Sequence, residues 1–440
     1  MKQRLLVVVL SLLAVVLFTA CAAPAAPVAT GDTGAAVPQG QVIELEFWTL
    51  LTGNLAEALD AQVQAFNASQ DRIRIVNVNQ GGYNELQQKL LASIAAGNMP
   101  PITMVDYIYV PYYAQQGVFA AIDELASPED MADFIPALLE DLSFNGKPYA
   151  LPYNRSTQGF YYNKDLFRAV GLDPDQPPAS WEEFREVAKI LSESGVFGTY
   201  ANYSRWYFEP FVYQWGGVLN DAECNPTLDS PEVIAMAKFF QDLYHVDGYA
   251  VMPATLSGTF DQAAIEFING QVGMMRQSTA IQSFIGNSVD FDWGFAMMPA
   301  GPVARAVTHG GGNVAISAFL DETQKAAAWE FVRFLTDTER SAEFHMATGY
   351  MPSRYSVLER DDVKAFHVEN PSWLVSVEQL EFARPTACIV RNVPEYNSII
   401  TQAIDRMIIN NEDPATVLGE VQRELQLAVD ELRAAGTLIP

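Results

Sequence analysis

Histidine, cysteine and positive charge are all scarce in this chain of 440 residues. The four histidines, His245, His309, His345 and His367, fall at no metal-ligand spacing, and the three cysteines include no CxxC pair. A metal site is therefore not expected, and each histidine reads as a surface or packed residue. Lys and Arg number 26 against 53 Asp and Glu, a formal net charge of −27. Phosphate backbones demand basic surface, so this balance argues against nucleic acid as a partner. After Phe18 no stretch of about eighteen apolar residues follows, so the chain forms no channel or permease by itself. GxSxG, HExxH, the Walker loop and GxGxxG are missing too, which removes the usual signatures of nucleophilic, zinc-protease and nucleotide chemistry. Asp173-Pro174-Asp175 alternates carboxylates but lacks the rest of an EF-hand and reads as a turn. A secreted glycosidase stays open, because two carboxylates brought together by folding leave no signature.

The start of the chain is the clearest positive signal. Lys2 and Arg4 precede an apolar run from Leu5 to Phe18, and Phe18-Thr19-Ala20-Cys21 follows. A run of about fourteen residues is short for a membrane span, so residues 1–21 read as a lipoprotein signal peptide, cleaved before Cys21 with acylation of its sulfur. Phe18 stands where such sites usually carry leucine. Residues 22–41 are Ala, Pro, Gly and Thr with one Asp and no aromatic, the composition of a flexible linker. The folded part is then expected outside the cytoplasm, anchored to the cell membrane through the lipid alone. Cys224 and Cys388 have two readings, a disulfide or two separate buried thiols.

Roughly 400 residues remain, more than one hydrophobic core usually organises, so two lobes are expected. Val42 to Trp48 alternates as a strand, Leu55, Leu59, Val63 and Phe66 recur at helical spacing, and Ile73 to Val78 reads as a second strand. Leu86, Leu90 and Ile94 make another helical stripe ending at Gly97, before a strand over Ile102 to Val105. This βαβαβ run predicts a mainly parallel sheet with ligand contacts at the strands' carboxyl ends. Ser180-Trp181-Glu182-Glu183 has the form of a capping box, Ser230-Pro231 and Asp413-Pro414 mark two more helix starts, and Val417, Val421, Leu425 and Leu432 stripe a last helix. No linker divides the lobes, so the chain is expected to cross between them several times.

Tyr203, Trp206, Tyr207, Phe208, Phe211, Tyr213 and Trp215 crowd one stretch at neither helical nor strand spacing. One or two of these rings are expected on a ligand and the others in the core. Gly310-Gly311-Gly312 offers backbone amides for close approach, although glycine runs also make ordinary turns.

Several segments together resemble a known family: Pro152-Tyr153-Asn154-Arg155-Ser156-Thr157, Tyr161-Tyr162-Asn163-Lys164-Asp165-Leu166-Phe167, Gly171-Leu172-Asp173-Pro174 with Trp181, Thr348-Gly349-Tyr350-Met351-Pro352, and Arg391-Asn392. From about Ile43 to the last helix the chain resembles the extracellular solute-binding proteins of ABC importers built like the maltose-binding protein, and within them most nearly the glycerol-3-phosphate-binding proteins. The resemblance implies an α/β fold of the periplasmic-binding-protein type (class II), with two α/β lobes joined by several hinge crossovers. It implies lobes of residues 42–152 with 277–311 and of 153–276 with 312–440. It further implies a monomer that is no enzyme, carries no cofactor, and delivers a phosphorylated polyol or sugar to permease subunits. Residue by residue, Tyr83, Ser156, Ser278, Gly311, Tyr350 and Arg391 match the family's ligand contacts, and Trp206 an aromatic of the pocket wall. Where the family carries a glutamate for the glycerol hydroxyls, Tyr107 stands, with Asp106 adjacent. That departure keeps a glycerophosphodiester or an oligosaccharide in view as ligand. Arg276, near a crossover, departs as well, and reads either as added phosphate affinity or as a surface charge.

Overall fold

The computed structural model describes residues 42–254 and 259–439. The expected signal peptide, the lipidation site at Cys21 and the linker lie outside the described residues. The predicted βαβαβ run is β1 (Ile43–Thr49), α1 (Gly53–Ser69), β2 (Ile73–Asn79), α2 (Tyr83–Ala96) and β3 (Ile102–Asp106). Leu45 and Phe47 of β1 point into a core that Leu59, Val63 and Phe66 of α1 cover, as their spacing requires. β1 lies between β2 and β3 and runs parallel to both.

After the small hairpin of β4 (Ser143–Phe144) and β5 (Lys147–Pro148) comes β6 (Leu151–Asn163), 13 residues long and buried throughout. β7 (Phe197–Tyr200), β8 (Ala250–Val251), β9 (Val272–Ser278), β10 (Trp293–Met297) and β11 (His309–Ile316) follow. Neighbours in the main sheet are β2-β1-β3-β11-β6-β9-β7-β8, with β10 also on β6. The first half of β6, through Thr157, pairs with β11, and its second half, from Gln158, with β9 and β10. One strand thus joins two half-sheets, each containing parallel neighbours that need covering helices.

The expected lobe boundaries differ from the packing in two places. Residues 293–297 pair with the second half of β6, not with β1 to β3. The helix Glu322–Leu335 packs on β1 and α1, its Phe331 ring meeting Phe47 at 5.4 Å and Phe66 at 5.1 Å. Chain order hides both, because apolar faces choose their partners by fit rather than by sequence proximity.

Helix starts follow the predicted chemistry. Ser180 Oγ accepts from the backbone N–H of Glu183 (3.2 Å), while the Glu183 carboxylate accepts from Ala179 N (2.7 Å), so the reciprocal half of the box sits one residue early. Ser230 and Asp413 cap helices that carry proline in their first turn. The aromatic stretch is a helix after all, Arg205–Gln214, with Pro210 inside it. It shows no one-sided stripe because most of its residues, on every face, are buried.

Cys224 and Cys388 form a disulfide, their Cα atoms 5.5 Å apart across a sequence separation of 164. Closing so long a loop removes much unfolded-state freedom. Cys388→Ser is expected to lower stability by about 2–5 kcal/mol, read as an earlier urea midpoint, with dithiothreitol producing the same shift in the unmutated protein.

Candidate ligand-binding site

A cavity of about 510 Å³ opens where the two half-sheets meet on β6. Its walls come from carboxyl ends of strands and from the turns that follow, the position expected for parallel α/β sheets. Asp106 ends β3, and its carboxylate caps the next turn by accepting from Ile108 N (3.4 Å). Ser278 ends β9 in the same way, Oγ accepting from Ala280 N at 3.1 Å, which leaves its O–H proton for a ligand. Tyr83 opens α2, and Tyr350 follows Gly349, whose left-handed backbone ends the helix Thr338–Thr348. Ser156 on β6 stands opposite Gly310, and Gly311 borders the same cavity.

Trp206 lies against this glycine run. A Cβ on Gly310 would fall 2.7 Å from its indole ring, so only glycine admits the contact. The indole Nε1 donates to His309 O at 3.0 Å, which fixes the ring as part of the wall.

Burial governs the titration of the lining. The Tyr350 hydroxyl is pushed up to about 12 by burial, and Tyr107 is raised by burial with the Glu209 charge adding to it. Tyr83 is 36% exposed as a residue, yet its hydroxyl receives Asn154 Nδ2 at 3.2 Å. Its pKa rises because that end is desolvated and lies near Tyr350 and Asp106. All three phenols therefore remain hydrogen-bond donors at neutral pH. Asp106 is raised by burial, with Arg205 pulling the other way.

Eight expected residues come together here: Tyr83, Asp106, Tyr107, Ser156, Trp206, Ser278, Gly311 and Tyr350 all line the cavity. Arg391 does not. It sits on the short helix Cys388–Asn392, which the disulfide and the bond from Asn392 Nδ2 to Ile439 O (2.9 Å) tie to neighbouring loops. The lining arginine is Arg205, with Nη1 on Glu209 Oε1 at 2.6 Å and Nε on Asn397 Oδ1 at 3.1 Å. Its signal was an arginine four residues before a glutamate inside the aromatic stretch. Asn397 and Asp261, also lining, carried no signal. Arg276 is neither ligand contact nor surface charge, since it is buried among aromatic rings.

Beneath the cavity, Arg155 of β6 meets Asp141 at 3.3 Å, and His309 Nδ1 meets the same carboxylate at 3.1 Å. Burial alone would raise Asp141, but the bond and charge of His309 with Arg155 hold it at about 2. A second cavity, of about 600 Å³, lies among Glu129, Asp130, Asp133 and Asp337. Its Arg354 is already paired with Asp130 and Asp133, and none of the expected residues reaches it.

Residues 61–370 match the model of a family described as bacterial extracellular solute-binding protein. The sn-glycerol-3-phosphate-binding periplasmic proteins UgpB of Escherichia coli strain K12 and of Shigella dysenteriae serotype 1 are each 25% identical over 411 residues, 88% of this chain and 92% of theirs. Among solved structures, UgpB from Mycobacterium tuberculosis in complex with glycerophosphocholine superposes with a TM-score of 0.81 at 29% identity, covering 89% of this chain and 99% of that one. Maltose-bound T. maritima MalE3 gives 0.79 at 23% identity, over 88% and 100%, and shares the fold. The chain thus has the fold of the periplasmic solute-binding proteins, and among the described residues no helix is long and apolar enough to cross a membrane. With the family model matching most of its length, the chain belongs to the bacterial extracellular solute-binding proteins and is a binding protein of the ABC-transporter type, not an enzyme.

Proposed function

We propose that this protein captures a glycerophosphodiester or glycerol 3-phosphate between its lobes and hands it to an ABC permease, as a monomer held outside the cytoplasm by a lipid on Cys21. The observation that carries this reading is the convergence of Tyr83, Asp106, Tyr107, Ser156, Trp206, Ser278, Gly311 and Tyr350 on one cavity. Tyr83, Ser156, Ser278, Gly311 and Tyr350 are matched to the contacts of glycerol-3-phosphate-binding relatives and Trp206 to an aromatic of their pocket wall, while Asp106 and Tyr107 stand where those relatives carry a glutamate. Phenol, serine and backbone donors suit phosphate oxygens, and Asp106 suits glycerol hydroxyls. Strand β6, paired with β11 through its first half and with β9 through its second, is the crossover on which the lobes would close. We redraw the lobes accordingly, with residues 293–297 beside the second half of β6 and residues 322–348 beside β1.

Titration calorimetry of the purified full chain tests the reading. Saturable heat is expected with a glycerophosphodiester or glycerol 3-phosphate, and heat with maltose alone overturns it. Tyr350→Phe removes one donor and is expected to weaken binding roughly tenfold, while Arg391→Ala, outside the lining, changes it by less than about threefold. An oligosaccharide is the second reading, favoured by the Trp206 ring beside the carboxylate Asp106 and the amide Asn397.

A further inference from the structure

Gly312 closes the glycine run and Asn154 opens the Asn-Arg-Ser-Thr segment, yet neither borders the cavity that Gly310, Gly311 and Ser156 line. The two are buried and face each other in the register between β11 and β6. Asn154 Nδ2 donates to Tyr83 Oη at 3.2 Å, and the same side chain bonds the Tyr350 hydroxyl. Burial raises both phenols, and at each the Asn154 bond works in the opposite direction. A bond that favours the phenolate comes from a donor, so the amide offers an N–H to each tyrosine. Arg155 also acts on Tyr83, but through charge alone, since its guanidinium is turned to Asp141 (3.3 Å) and Asn313 (3.1 Å) and lies 4.9 Å from the Tyr107 ring.

A phenol oxygen that accepts from Asn154 keeps its own proton to donate elsewhere. Tyr83 and Tyr350 both line the cavity, so that proton is available to a ligand. Asn154 Oδ1, in contrast, is buried with no donor among the described residues. An unmet buried oxygen costs stability, so folding alone does not account for an amide here. Room for it comes from Gly312, where a Cβ would fall 2.5 Å from Oδ1 and 3.4 Å from Cγ of Asn154.

We infer that Asn154 is a positioning residue of the binding site, seated in the gap left by Gly312, and that its amide turns the Tyr83 and Tyr350 hydroxyls to donate to the ligand. The inference deepens the proposed function and rests on the same cavity. Calorimetry of the purified full chain with glycerophosphocholine and with maltose tests it through a mutant cycle. Gly312→Ala keeps Asn154 but displaces its amide, because the added Cβ closely meets only the Asn154 and Met104 side chains and no backbone atom. It is expected to weaken binding about tenfold, and Asn154→Ala by a similar factor. Asn154→Asp replaces the donor with an acceptor of the same shape and is expected to weaken binding more than the alanine, where a packing role predicts the reverse order. With Tyr83→Phe and Tyr350→Phe both in place there are no hydroxyls to orient, and Gly312→Ala or Asn154→Ala is then expected to change affinity by less than about twofold. Losses that recur in full in that background overturn the assignment, as does unchanged binding by folded Gly312→Ala and Asn154→Ala proteins. If maltose alone gives heat, the glycerophosphate reading falls, and the same cycle run with maltose tests Asn154.

Discussion

Gly311→Ala is expected to abolish ligand capture, weakening it by roughly 100-fold or more, and to destabilise the fold by about 3 kcal/mol. Gly311 has φ +106°, a backbone conformation closed to side-chain-bearing residues, and it faces Arg155 in the register between β11 and β6. An added Cβ would fall 1.9 Å from the carbonyl oxygen of Asn154 and 3.0 Å from the Cα of Arg155. Both are backbone atoms of β6, so no rotamer change relieves the overlap, and the two strands must part. They part beside Ser156 and the Trp206 contact at Gly310, which are walls of the cavity. Urea unfolding and calorimetry read both effects. Gly419→Ala is the control: its helical Cβ would meet only Arg423 Nη1, at 3.8 Å, and stability is expected to rise by about 0.5–1 kcal/mol with binding unchanged.

Gly311 also shows what the sequence discloses and what it conceals. A glycine run announces close approach, but its partner, Asn154, belongs to a strand with no strand pattern. β6 runs through Asn154, Arg155, Ser156, Thr157 and Gln158, all buried, where alternation would place every second residue in solvent. These polar groups survive burial through partners far along the chain, Arg155 with Asn313 (3.1 Å) and Gln158 with Thr308 (2.8 Å). Period and caps therefore reveal β1 to β3, α1 and α2, while β6, the strand that joins the lobes, is visible only as a family motif. The site divides on similar lines. Tyr83, Ser156 and Tyr350 are carried by local motifs and reach the cavity. The lining arginine, Arg205, is hidden, because Arg205 and Glu209 at i,i+4 look in sequence like any exposed helical ion pair. Only the packing of the helix Arg205–Gln214 on both faces makes that pair a buried one.

Arg276→Ala is expected to cost about 4 kcal/mol of stability while leaving the ligand affinity of the folded protein within about threefold. Arg276 on β9 is 1% exposed, and its guanidinium carbon lies 5.2 Å from the Tyr207 ring and 5.4 Å from that of Tyr203. Phe211 and Phe240, each at 5.5 Å, and Trp181 at 5.8 Å close the box. Nη2 donates to Asn202 O and to Tyr244 Oη, and Asn202 Nδ2 returns a bond to Arg276 O at 3.0 Å. Among the described residues no carboxylate lies within ion-pair distance of it, so ring faces and neutral oxygens alone accommodate the charge. Truncation to alanine leaves a void in a close-packed aromatic core and strands the acceptor at Asn202. Arg276→Lys keeps the charge but loses the planar fork that stacks on several rings, and is expected to recover less than half of the loss. A phosphate-binding role makes the opposite prediction, a large loss of affinity in calorimetry with a urea midpoint close to that of the unmutated protein. The two outcomes separate cleanly because Arg276 holds up the lobe behind Trp206 and does not border the cavity that Trp206 lines.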